Sequence, residues 1–115
     1  MVLCSRMQGI GDWRMKNAKH LALVRSLPCV ACAVDGREQC SPTEAHHTKS
    51  GRYGTRKTAD DRAIPLCHSH HNKLRPYPGD ESVIGYHNGQ EAWEAVYGPD
   101  TDYIEATRMA VEMLD

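Results

Sequence analysis

The sequence predicts a small α+β domain held together by metal, and three observations carry that prediction. The chain has 115 residues, enough for one domain and little more. Hydrophobic spacing and chain breakers set out helix, strand, strand, helix, helix, helix in that order. The apolar side is thin, with no Phe, 2 Trp and 5 Tyr, yet the chain carries 7 His and 5 Cys. So small a core usually needs a staple, and His and Cys are the residues that bind one.

Taken in order, residues 1–12 read as a loose basic arm. Asp12 is placed to cap a helix from about Trp13 to Ser26, with Ala18, Leu21, Ala22 and Val24 towards the core. Leu27-Pro28 ends it, because a residue before Pro avoids the helical region. Residues 29–42 are turn-rich and hold three Cys. Thr43–Thr48 and Ala63–Leu66 read as strands of an antiparallel hairpin with a long basic loop between them. A helix is expected from Cys67 to about Arg75, stopping before Pro76 and Pro78. Loop follows over 76–86. Asn88 or Gly89 opens a helix through Trp93 to Tyr97, closed by Gly98-Pro99. A last helix runs from about Thr101 to Leu114, with Ile104, Ala110 or Val111, and Leu114 facing inward. Trp93, Val96 and Tyr97 read as core. Asp100, Asp102, Glu105, Glu112 and Asp115 read as a solvated acidic face.

The net charge of −1 conceals a division. Residues 1–75 hold thirteen of the fourteen basic residues and six acidic ones, a net +7, whereas residues 76–115 hold Arg108 against nine acids, a net −8. Such asymmetry suggests one basic and one acidic face. The basic stretch over 49–58 carries Lys49, Arg52, Arg56 and Lys57, no acid, and two glycines that allow close approach to a phosphate. No apolar run reaches the ~18 residues of a membrane span. No apolar segment of a secretory signal follows Met1. An odd number of Cys leaves a disulfide framework incomplete, and reduced, clustered thiols read as metal ligands.

Cys29-x2-Cys32 on a turn and Cys67-x2-His70 at a helix start form two half-sites that together can supply four tetrahedral ligands to one Zn²⁺. Cys40 is a rival for the fourth position, and Cys4 stays free. His46 and His47, adjacent on a strand, point to opposite sides. That suits a division of labour in which one binds metal and the other activates water. His70 and His71 sit about 100° apart on their helix, so one helix can serve a closed structural site and an open catalytic one. His20 and His68 read as surface or packing residues.

Cys29-x2-Cys32, Ala45-His46-His47 and Ile64-Pro65-Leu66-Cys67-x2-His70-His71-Asn72 together resemble the HNH, or ββα-metal (His-Me finger), nucleases. Ile84-Gly85-Tyr86-His87 and Trp93-Glu94-Ala95-Val96-Tyr97-Gly98 look more specifically like the phage Ref (recombination enhancement function) group. The resemblance covers roughly residues 19–98. It implies a ββα-metal core over 43–75, stapled by a structural zinc at 29–32 and 67–70. A basic arm over 1–18 and C-terminal helices over 88–115 would flank that core, with 19–115 forming one nuclease domain. It further implies that His46 binds a catalytic Mg²⁺ or another divalent ion, that His47 is the general base, and that His71 is the second ligand. The family's central Asn has no match; Asp60-Asp61-Arg62 lies there, and Asp61 is the expected substitute. A further helix His of many relatives is Arg75 here, and His87 is the expected replacement, leaving the third ligand as His87 or Asp61. Lys49, Arg52, Arg56 and Lys57 would hold the DNA backbone of a single- or double-stranded substrate, and Tyr53 would pack or stack there. The resemblance also implies recombination, a recombinase filament as partner, no membrane, and a cytoplasmic, nucleoid-associated place in a bacterial or phage-infected cell. Two other readings stand beside it. One is a zinc-stapled DNA-binding or recombination accessory module without cleavage, and the other is a protein-interaction domain that uses zinc only for stability.

Overall fold

The computed structural model describes residues 17–50, 59–72 and 78–114. Its α+β architecture is a two-stranded antiparallel sheet surrounded by helices. Helix α1 (Ala18–Arg25) is capped by Asn17, whose side chain accepts the His20 N–H. The expected cap Asp12 lies outside the described residues. Of the four residues expected to face inward on α1, only Val24 is buried, and Ala18 and Ala22 are exposed.

The stretch expected to be turns contains a short helix, α2 (Val30–Asp35). Cys29 caps it through its sulfur, and Gly36 closes it at φ 67, a left-handed conformation that glycine adopts without steric cost. Strand β1 (Thr43–His47) pairs with β2 (Ala63–Cys67) in a register that sets Thr43 opposite Cys67 and His47 opposite Ala63. All five residues of β2 are buried. Pro65 fits because a two-stranded ladder leaves each strand an outer edge where no N–H is needed.

Helix α3 (His68–His71) follows β2 without a connecting residue, and Asn72 ends it. A 3-10 turn over Tyr86–Asn88 leads into α4 (Gln90–Tyr97), and another over Asp100–Tyr103 leads into α5 (Ile104–Leu114). Trp93 is fully buried and is the hub of the core. Its ring centroid lies 5.1 Å from Tyr86, 4.8 Å from Tyr97 and 6.3 Å from Tyr103. Ile104 and Val111 bury one stripe of α5, while Val96 and Leu114, both expected inside, are exposed. Among the described residues no helix is long and apolar enough to cross a membrane.

Candidate metal centre and active site

Two groups of metal-ligating side chains meet across α3. In the first, Cys29, Cys32, Cys67 and His70 are all buried, and their ligand atoms lie within 4.8 Å of one another. The capping turn of α2 aims Cys29 and Cys32 inward, and the direct passage from β2 into α3 places Cys67 and His70 one turn apart. His70 Nδ1 sits 3.2 Å from Cys67 Sγ, 3.5 Å from Cys32 Sγ and 3.6 Å from Cys29 Sγ. The other ring nitrogen faces the Tyr97 hydroxyl at 3.1 Å and the Asp35 carboxylate at 3.4 Å. Tyr97 in turn donates to Asp35 at 2.7 Å. Those partners fix the tautomer that leaves Nδ1 free for the sulfurs.

The Cys29 hydrogen bond holds the Cys67 thiol down to about 3 against the effect of burial, with help from Ser41 and the His70 backbone N–H. The same bond, and burial, push Cys29 up. Burial, followed by the Cys67 charge, pushes Cys32 up to about 12. Burial and the neighbouring sulfurs oppose ionising all three thiols at once, and a bound cation would let the set ionise together. Cys40, the rival ligand, is exposed and beside Gly79, outside the cluster. Cys4 lies outside the described residues.

The second group is His46, His71 and His87, whose ligand atoms again lie within 4.8 Å of one another. Their ring centroids are 5.1, 5.4 and 4.8 Å apart, taken as His46–His71, His46–His87 and His71–His87. His46 comes from β1, His71 from α3 and His87 from the 3-10 turn before α4. His46 is fully buried, and Tyr86 packs on its ring at 4.5 Å. Its Nε2–H donates to Asp100 at 2.8 Å, and its Nδ1 is buried with no hydrogen-bond partner. His71 Nδ1–H donates to Glu44 at 2.7 Å, leaving Nε2 available. A buried nitrogen with no partner, beside two further imidazoles, makes a group that could hold a divalent metal ion. Burial pushes His46 down from its ordinary value, with the Asp100 hydrogen bond opposing. Burial, then the neighbouring His71 and His46, push His87 down to about 4. Both shifts favour the neutral, ligating form.

His47 points to the other side of β1, as strand alternation requires. Its Nε2–H donates to Asp60 at 2.8 Å, and Asp60 also accepts the Asn17 backbone N–H at 2.7 Å. Asp61 is not gathered with the histidines: it lies in a 3-10 turn over Asp60–Arg62, just before β2, and accepts from Arg108 at 3.0 Å. Its neighbour Asp60 makes the histidine contact instead, because adjacent residues of that turn face different ways. Lys49 is half-buried just beyond β1. Arg52, Tyr53, Arg56, Lys57 and Arg75 lie outside the described residues.

Three carboxylates at these sites escape sequence reasoning. Asp100, expected on a solvated face, is fully buried. Burial alone would raise its carboxyl, but hydrogen bonds from His46, Lys49 and Ser50 outweigh that and hold it low. Glu44 bridges His71 and His68, and these bonds likewise outweigh burial and hold it below its ordinary range. Asp60 is the third. The sequence signals were Glu44's place on a strand two residues before His46, and Asp60's place beside Asp61 at the position of the family's central Asn; Asp100 had none.

The family model described as recombination enhancement, RecA-dependent nuclease matches residues 14–114, a span that includes every member of both groups. No curated protein and no solved structure matches the chain.

Proposed function

Because the chain belongs to the recombination-enhancement, RecA-dependent nuclease family, we propose that it is a metal-dependent DNA endonuclease or nickase of the HNH type that acts with a recombinase filament. The observation that carries this reading is the convergence of His46, His71 and His87, with the outward nitrogens of His46 and His71 already committed to carboxylates. Cys29, Cys32, Cys67 and His70 would hold a structural Zn²⁺, a closed set with no position left for substrate.

His46, His71 and His87 would hold the catalytic ion, Mg²⁺ or another divalent metal. When bound, that ion polarises a phosphoryl oxygen and stabilises charge on the leaving 3′ oxygen. His47 is the general base: with its Nε2–H given to Asp60, Nδ1 is the atom that accepts the water proton. A phosphate lying across the end of β1 would meet His47 on one side and the three histidines on the other. Lys49, Arg52, Arg56 and Lys57 would hold the strand through its phosphates, which positions DNA without reading its sequence.

Purified protein is incubated with single- and double-stranded DNA, bare and recombinase-coated, across Mg²⁺, Mn²⁺, Ni²⁺ and Zn²⁺. Cleavage is expected, and His47→Ala is expected to abolish it with metal content and DNA affinity intact. No nicking under any of these conditions removes the nuclease reading. The opposed faces of His46 and His47 favour a second reading, a zinc-stapled accessory module that binds DNA without cutting it. Salt-sensitive binding with no cleavage would be its signature.

A further inference from the structure

We propose that Asp100 is a positioning residue that selects which His46 nitrogen faces the metal and ties the start of the basic segment to that choice. The proposal rests on the metal-centre reading above.

Asp100 and His46 are both fully buried and stand 54 residues apart in sequence. Three donors converge on the one carboxylate. Oδ2 accepts His46 Nε2–H at 2.8 Å and the Lys49 backbone N–H at 2.7 Å, and Oδ1 accepts the Ser50 backbone N–H at 3.0 Å. An ionised carboxylate only accepts, so the proton of the neutral ring must sit on Nε2. The lone pair is then on Nδ1, the atom that is buried and without a partner. Asp102, two residues on, is exposed, so burial belongs to position 100 and not to the acidic turn as a whole.

The same oxygens hold Lys49 and Ser50, the first residues of the stretch that carries the four cations. One buried group therefore anchors both a metal ligand and the segment that meets phosphate. Asn cannot replace it. Only one acceptor oxygen remains, and the amide NH₂ must face an N–H donor whichever way it turns.

The test uses the whole 115-residue chain, loaded with zinc. Two-bond ¹H–¹⁵N correlation spectra, with His46 assigned by comparison with His46→Gln, are expected to show the Nε2–H tautomer before Mn²⁺ is added. An Nδ1–H tautomer overturns the proposal. Mn²⁺ titration followed by electron paramagnetic resonance should show Asp100→Asn binding about 10- to 100-fold more weakly than the unsubstituted chain, with Asp102→Asn unchanged. Equal affinity in Asp100→Asn and the unsubstituted chain overturns it too. Should Asp100→Asn fail to fold, the tautomer in the unsubstituted chain still decides. An unsubstituted chain that binds no Mn²⁺ refutes the metal-centre reading instead, and the two failures are thereby told apart.

Discussion

Removing a metal ion held by Cys29, Cys32, Cys67 and His70, as proposed above, should cost this domain a large part of its stability. Cys32 and Cys67 are 35 residues apart in the chain, and their sulfurs stand 3.8 Å apart. Treated as a single cross-link closing that loop, such an ion would restrict the unfolded chain by ~4 kcal/mol. Domains of this kind have about 5–15 kcal/mol in total. Three buried thiols left without a cation add to the loss. At roughly 4–8 °C per kcal/mol, the melting temperature should fall by about 15 °C or more. Cys29→Ser should act similarly, since it removes one ligand and also the sulfur that accepts the Cys32 N–H at 3.4 Å to cap α2. Far-UV circular dichroism melts, read beside metal content by mass spectrometry, measure this. Stoichiometric metal loss with a shift under about 5 °C would refute the reasoning, because the core would then be holding the fold without its staple.

Trp93→Ala should cost about 3–5 kcal/mol in urea unfolding. The ring is fully buried and braces Tyr86, which packs on His46, and Tyr97, which meets His70; a loss under ~1 kcal/mol would remove it as the hub. DNA affinity should fall with salt at a logarithmic slope of about −3 to −4 if Lys49, Arg52, Arg56 and Lys57 each meet a phosphate. Arg56→Gln should reduce that slope by about 1, and an unchanged slope in filter binding argues against the contact. The folded-state value of His87 is depressed to about 4 from 6.5. Its contribution is therefore present above pH 6.5 and is lost as pH falls towards 4, when the unfolded chain takes up the proton first. His87→Gln should flatten the fall in urea midpoint across that window, and an identical pH profile would count against it.

Much of this protein was legible in its sequence because the decisive signals are local. Cys29 and Cys32 share a turn, Cys67 and His70 share the start of a helix, and each half-site fixes its own geometry over a few residues. The strands and helices were marked by Pro28, Gly98 and hydrophobic spacing. Adjacency alone separates His46 from His47 across a strand, and His70 from His71 around a helix. Helix α2 was missed because six residues are too few to display a period. Val96 and Leu114 were misplaced because spacing shows that a stripe exists but not how wide the covering surface is.

The sequence by itself determined the Cys and His pairs that the fold brings together and the division of charge. Only the tertiary structure decided which carboxylates serve them. Asp100 reads as one more acid in an acidic tail, and nothing local distinguishes it from Asp102. It becomes the partner of His46 only when the chain after α4 returns to the end of β1, where an ionised oxygen pair can be buried because three donors already wait for it. Asp60 and Asp61 differ in the same way, one turned to His47 and the other to Arg108. Burial of a charge depends on partners far away in sequence, and those partners come together only once the chain has folded.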